Sequence, residues 1–179
     1  GLISVPKGCV IHELCCDSDD IKFDVLRHLG GHEDEDLYQR YKNLAVNTMS
    51  VDVQIGSGTL MKSVVDFCVE NIFAGIEKFA GLPGSIGGAV FMNARCFDIS
   101  ISELVYSVSY FDLSKMQVFN YQFNESDWAY KLSPFQTGNK IILSVVLRLK
   151  KCDNCKKDEL AVACKKYIEE RESRGHFKF

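Results

Sequence analysis

Two stretches of the chain hold residue types that could do chemistry. The first, residues 75–94, carries five glycines: Gly75, Gly81, Gly84, Gly87 and Gly88. Glycine tolerates positive φ and lets a backbone come close to another group. Pro83 fixes one φ and removes one N–H, which suits a tight turn entered from an extended residue. Ser85 adds a small hydroxyl. This composition predicts a turn-rich loop with free backbone N–H groups and almost no side chain in the way. Such a loop suits an anion, above all a phosphate. The competing reading is an ordinary turn, because short glycine motifs often bind nothing. No Gly-Lys-Ser/Thr closes the run, and the Gly-x-Gly-x-x-Gly spacing after a strand is missing, so neither common nucleotide fingerprint applies. The second stretch places Tyr130, Lys131 and Ser133 ahead of Phe135. Read alone, Lys131 is a surface lysine after a packed tyrosine.

The elements that must position these residues follow from periodicity. The glycine run turns apolar at Ala89–Met92, which anchors it in a core. Residues 51–58 alternate apolar and polar and end in a glycine turn, as a strand does. Residues 59–71 have helical spacing at Leu60, Met61, Val64, Val65, Cys68 and Val69, with Thr59 or Ser57 as cap. Strands are predicted at 102–112 and 116–121, joined by a turn at 112–115 as a hairpin. Residues 140–149 are apolar almost throughout, which predicts a strand buried on both faces. Residues 150–157 read as a lysine-rich linker. Residues 158–174 read as an amphipathic helix, with Glu170-Arg171-Glu172 on its solvated face. Residues 1–12 read as two short strands about a turn at 6–8. Residues 17–48 hold an acidic run at 32–36 that fits a solvated helix start better than a metal site.

Composition narrows the function classes. The chain has 179 residues, 46% of them hydrophobic, enough for one domain with a real core. A net charge of −3 provides no basic field for nucleic acid. No apolar run reaches membrane-span length, and no signal peptide is visible. Eight cysteines are expected to be free thiols rather than disulfides. Cys152-x-x-Cys155 followed by Cys164 lacks the second ligand pair of a structural zinc site, so no metal is expected. The chain begins with Gly1 in mid-strand, which suggests a fragment or a processed chain.

The run from Gly75-Ile76-Glu77 through Ala80-Gly81-Leu82-Pro83-Gly84-Ser85-Ile86-Gly87-Gly88-Ala89-Val90 to Met92-Asn93-Ala94 resembles the signature of the UDP-N-acetylenolpyruvoylglucosamine reductase (UDP-N-acetylmuramate dehydrogenase) family. These are flavoenzymes of bacterial cell-wall synthesis. Tyr130, Lys131, Ser133 and Phe135 match the family's Tyr-Arg-x-Ser-x-Phe, with lysine in place of arginine. The resemblance covers residues 51–149 well, residues 1–12 loosely, and residues 158–179 as a bridge.

The resemblance implies an α+β fold: the FAD-binding subdomain of the vanillyl-alcohol-oxidase-like (PCMH) flavoprotein fold, a mainly antiparallel sheet flanked by helices. Residues 1–150 would be the second FAD-binding subdomain, with 13–50 an insertion. Residues 151–179 would be a linker and helix leading to a missing substrate domain. An upstream Gly-Gly-x-Ser-Asn loop and the domain carrying the proton-donating serine are both expected outside the chain. By the resemblance, Gly81, Pro83, Gly84, Ser85, Gly87, Gly88 and Asn93 would hold FAD. Tyr130 and Ser133 would meet the UDP-sugar, and Lys131 would be catalytic, keeping the arginine's charge without its planar fork. NADPH would be co-substrate, the setting cytoplasmic, the fragment itself inactive. The family continues past Asn93 with Ala-Gly, whereas this chain has Ala94-Arg95, which alters the flavin site's floor. Two other classes stand beside this one: an FAD-linked oxidase of the same fold, and a flavin-free binding module, which Arg95 and Lys131 would favour.

Overall fold

The computed structural model describes residues 9–12, 49–151 and 157–175. In chain order the elements are strand β1 (Cys9–His12), strand β2 (Met49–Gly56), helix α1 (Met61–Glu70), strand β3 (Phe73–Ala74), helix α2 (Ile86–Phe91), strands β4 (Arg95–Cys96), β5 (Ile99–Ser100), β6 (Val105–Asp112), β7 (Gln117–Gln122) and β8 (Lys140–Lys151), and helix α3 (Lys157–Ser173). The main sheet runs β1-β2-β8-β6-β7 and every pairing in it is antiparallel. β3 adds to the far end of β8, opposite Lys150 and Lys151. β4 and β5 form a separate two-stranded pair. The expected α+β architecture, a mainly antiparallel sheet with helices against it, is what the chain adopts.

β8 is the centre of the sheet because it is the longest apolar strand and has β2 on one edge and β6 on the other. Its inward residues Val145, Leu147 and Leu149 are buried in one core together with Met61 and Val64 of α1 and Ile86 and Val90 of α2. The expectation that both faces of β8 are buried does not hold. Ile141 and Leu143 are 50% and 42% exposed, so the core sits on one face, as antiparallel sheets allow.

Two irregularities in the β6–β8 ladder matter for the site. Val108 and Ser109 pair with Val145 and Ser144, but Tyr110 pairs with Ile142, so Leu143 is an extra residue on β8. Such a bulge leaves a residue outside the ladder, and the Leu143 carbonyl accepts from the Ser57 amide at 2.9 Å instead. Tyr106 is the corresponding extra residue on β6. Its ring lies 3.7 Å beneath the Arg148 guanidinium.

The helices correct two expectations. Neither Thr59 nor Ser57 caps α1; Leu60 does, with no side-chain bond, and the Met61 amide donates to the Gly84 carbonyl at 2.9 Å. A backbone partner from the glycine loop thus does the work of a cap. On α3, Arg171 is not on a solvated face. It is 6% exposed and donates to the carbonyls of Ala80 (2.9 Å) and Lys78 (3.0 Å). Its position continues the stripe of Leu160, Cys164 and Ile168, the signal that could have found it.

Cys68, Cys96 and Cys164 are all buried, and Cys96 and Cys164 are free thiols. Burial pushes the Cys164 thiol up to about 11, which makes it a poor nucleophile. Cys152 and Cys155, the 13–48 part of the proposed insertion, and the strand and turn expected before Cys9 lie outside the described residues. No helix among the described residues is long and apolar enough to cross a membrane.

Asp52 on β2 faces Arg148 on β8 across the ladder and receives both its Nε and its Nη2, each at 2.8 Å. The carboxylate is 6% exposed and the guanidinium 42%, so removal of Arg148 would leave a buried acceptor without its donors. Urea denaturation of Arg148→Ala should show a loss of about 2 kcal/mol, and Asp52→Ala a smaller one because the guanidinium left behind is half-exposed. A double-mutant cycle with Arg148→Ala should give non-additive effects; strict additivity would mean that the pair contributes nothing.

Candidate functional site

The glycine run packs as a second turn onto the turn that ends β2. Three backbone bonds lace the two turns: Met61 N–H to Gly84 O, Ile86 N–H to Thr59 O and Gly87 N–H to Ser57 O, each at 2.9 Å. The Leu143 bulge holds the first turn from below through Ser57. Ser85 caps α2, its hydroxyl accepting from the Gly88 amide at 3.2 Å. The expected row of free amides is therefore corrected at its helical end. The N–H groups of Ile86, Gly87 and Gly88 already have internal acceptors.

The glycines serve different ends. Gly84 sits at φ +95 and a Cβ there would meet nothing within 4 Å, so its requirement is conformational. Gly87 is the opposite case. A Cβ there would lie 2.7 Å from the Ser57 Cβ and 2.8 Å from its carbonyl oxygen, so close approach of two backbones is what excludes a side chain.

Outside this laced pair lies an open groove of 380 Å³. Ser57 and Gly58 line it from one turn, Ser85, Gly87 and Gly88 from the other, and Phe91, Met92 and Ile142 complete it. Phe91 and Met92 are 38% and 48% exposed, unusual for large apolar groups beside a glycine turn. A second groove, of 500 Å³, adjoins it and shares Met92. It is lined by Ala94, Arg95, Phe97, Tyr130 and Lys131 as well. The glycine loop and the Tyr130–Lys131 segment, 42 residues apart between Gly88 and Tyr130 in sequence, thus meet at one place.

The Tyr130–Lys131 segment is held rigidly. Ala129 and Leu132 exchange both backbone bonds around it, at 3.2 and 3.0 Å. Lys131 occupies the second central position at φ +56, a conformation normally given to Gly or Asn. Below the turn, Phe135 is fully buried against the rings of Tyr110, Tyr121 and Trp128. Gln136 Nε2 donates to the carbonyls of Phe91 (2.8 Å) and Lys131 (3.1 Å), tying the end of α2 to the turn.

The residues singled out from the sequence divide accordingly. Ser85, Gly87 and Gly88 line the first groove, and Tyr130 and Lys131 the second. Gly81, at φ +75, and the exposed Pro83 line neither; they steer the chain into the loop. Asn93 is 4% exposed at φ +41, and both ends of its amide are engaged, by the Ala129 carbonyl at 2.8 Å and the Ser102 amide at 3.3 Å. Ser133 is 4% exposed and donates to the Phe91 carbonyl at 2.7 Å while accepting from the Phe135 amide. Asn93 and Ser133 are thus struts that set the Tyr130–Lys131 turn against α2. Arg95 does not line the glycine groove; it lines the second one. The apolar run Ala89–Met92 anchors the loop in the core only through Ala89 and Val90; Phe91 and Met92, expected there too, face the groove instead, and Gln136 carries no mark in the sequence.

No protein-family model matches the chain. The UDP-N-acetylenolpyruvoylglucosamine reductase of Treponema denticola is 44% identical over an alignment of 139 positions that covers 72% of this chain and 42% of that protein. This chain belongs to the UDP-N-acetylenolpyruvoylglucosamine reductase family. The reductase of Borreliella burgdorferi is 40% identical over 122 residues, 68% of this chain and 39% of the relative. The crystal structure of UDP-N-acetylenolpyruvylglucosamine reductase (MurB) from Thermus caldophilus matches with a TM-score of 0.58 at 26% identity, over 66% of this chain and 42% of that one. The chain spans less than half the length of each of these three reductases.

The packing makes a direct prediction about the two turns. Gly87→Ala must push back the Ser57 carbonyl and break its bond to the Gly87 amide, for a loss of about 1–3 kcal/mol in urea denaturation. Gly58→Ala, where a Cβ meets nothing within 4 Å, should leave stability unchanged or raise it slightly. Equal effects from the two substitutions would contradict this assignment.

Proposed function

We propose that the chain is the second FAD-binding subdomain of an NADPH-dependent enzyme that reduces UDP-N-acetylglucosamine enolpyruvate to UDP-N-acetylmuramate during peptidoglycan synthesis in the cytoplasm. The observation that carries this reading is the pair of adjoining grooves. One is bare backbone with exposed apolar side chains, and the other holds a lysine on a rigid turn.

The first groove fits a flavin dinucleotide on its own features. Space is open at Gly58, which lines it and where even a Cβ would meet nothing. Phe91 and Met92 offer apolar surface for a planar ring system, and the Ser57–Gly58 and Ser85–Gly88 backbones allow close approach. When bound, FAD supplies hydride transfer from NADPH to the enolpyruvyl double bond of the substrate.

The chain's own residues position and polarise. Gly84–Gly88 and the Ser57–Gly58 turn hold the cofactor side. Lys131 presents its ammonium to the carboxylate end of the enolpyruvyl group, where negative charge grows as the double bond is reduced. The Ala129–Leu132 turn and the Asn93, Ser133 and Gln136 bonds hold Lys131 in place, so little reorganisation is needed when that charge develops. Tyr130, 73% exposed with Lys131 Nζ 5.5 Å from its ring, shapes the substrate side. The proton that completes the reduction is assigned to a group in the remainder of the protein, so residues 1–179 alone should not turn over.

The full-length protein tests this. It should purify yellow with one FAD and oxidise NADPH only when the UDP-enolpyruvyl sugar is added. Lys131→Ala should keep the flavin and lower kcat by about 10²–10³-fold. A flavin-free full-length protein would overturn the reading in favour of a binding module, and a flavin that turns over with another electron donor and oxygen while the UDP-sugar is never consumed would favour an oxidase. Residues 1–179 titrated with FAD should show no stoichiometric quenching of flavin fluorescence; a tight complex would show that half a site suffices.

A further inference from the structure

The second groove contains two cations and no acid. Arg95 and Lys131 both line it, and its other lining residues are Met92, Ala94, Phe97 and Tyr130. Among the described residues neither cation has a carboxylate partner, whereas Lys62, Lys78, Arg148, Lys157 and Arg174 each have one. The carboxylate nearest in sequence to Arg95, that of Asp98, is taken by Lys78 at 2.6 Å. That ammonium holds the Asp98 carboxyl below its usual range. Arg95 donates from Nη2 to the Asp98 carbonyl at 3.3 Å, and its charge adds, behind that of Lys78, to the pull on the Asp98 carboxyl, but it forms no ion pair with that group.

The placement of Arg95 follows from the β4–β5 pair. Cys96 points inward and is 2% exposed, so strand alternation sends Arg95 to the open side, over the groove. Two like charges beside one cleft repel each other and raise the local concentration of anions. Their chemistries are complementary. An ammonium is a compact point charge, whereas a guanidinium presents parallel N–H donors that match a carboxylate in bidentate fashion.

We propose that Arg95 is a substrate-binding residue that grips the carboxylate of the enolpyruvyl group, supplying the planar fork that Lys131 lacks. Arg95 and Lys131 then divide between them the task of holding one anion: Arg95 orients it, and Lys131 balances its charge. This rests on the flavin-dependent reductase reading above and adds to it a residue outside both the glycine run and the Tyr130–Phe135 segment.

The test uses the full-length enzyme and Arg95→Ala, Arg95→Gln and Arg95→Lys, with flavin content, KM for the UDP-enolpyruvyl sugar and KM for NADPH as readouts. Arg95→Ala and Arg95→Gln should keep full flavin and an unchanged KM for NADPH while KM for the sugar rises about 10- to 100-fold. Arg95→Lys should recover part of that loss. Lys131→Arg placed in the Arg95→Ala background should also recover part of it, because it restores a fork at the same groove. An unchanged KM for the sugar in a flavin-loaded variant overturns the proposal and leaves the reductase reading intact. A rise in KM for NADPH alone assigns the cations to a cofactor phosphate and overturns it as well. Loss of flavin in both neutral variants assigns Arg95 to holding the loop, which also overturns it. A wild-type protein with neither flavin nor turnover overturns both the proposal and the reading beneath it.

Discussion

The contact on which the site depends is the one between the Ser57 carbonyl and the Gly87 amide. It brings two backbone segments closer than any side chain at position 87 would allow. Through it the turn after β2 and the start of α2 become one unit, and that unit is pinned to the sheet by the Leu143 bulge. The outer surface of the unit is then bare backbone facing solvent, and the apolar side chains of Phe91 and Met92 extend it. An ordinary helix start would have covered the same place with side chains.

From that unit the geometry spreads outward along hydrogen bonds. The Phe91 carbonyl at the end of α2 receives both Ser133 Oγ and Gln136 Nε2, so the second groove is measured from the first. Asn93 spans from the Ala129 carbonyl to the Ser102 amide and closes the frame on the other side. On the far side, α3 grips the entrance of the glycine loop through Arg171, whose guanidinium also lies 5.2 Å from the Phe97 ring in the second groove. One buried arginine thereby touches the supports of both grooves.

The sequence was most legible where pattern and local chemistry coincide. β2, α1 and β8 were visible in alternation, helical spacing and an apolar run, and the glycine loop was visible because glycine has few reasons to recur so densely. Legibility failed where a residue's role is set by a partner distant in sequence. Nothing local shows that Ser133 ties down a helix end, because its acceptor, the Phe91 carbonyl, is 42 residues away. Arg171 was read as a surface charge because flanking glutamates dominate its window, although its place on the inner stripe of α3 was available. The failure of β8 to bury both faces has the same origin: an apolar run records composition, while the sheet decides which face is covered.

The central claim is that the Ser57–Gly88 unit carries the flavin and that Lys131 and Arg95 lie on the substrate side of it. A crystal structure of the full-length, flavin-loaded protein measures this directly. The account predicts FAD in van der Waals contact with the Gly84–Gly88 backbone and Met92, with both cations on the adjoining groove. Flavin bound elsewhere, or a Ser57–Gly88 groove occupied by the protein's own side chains, would contradict it.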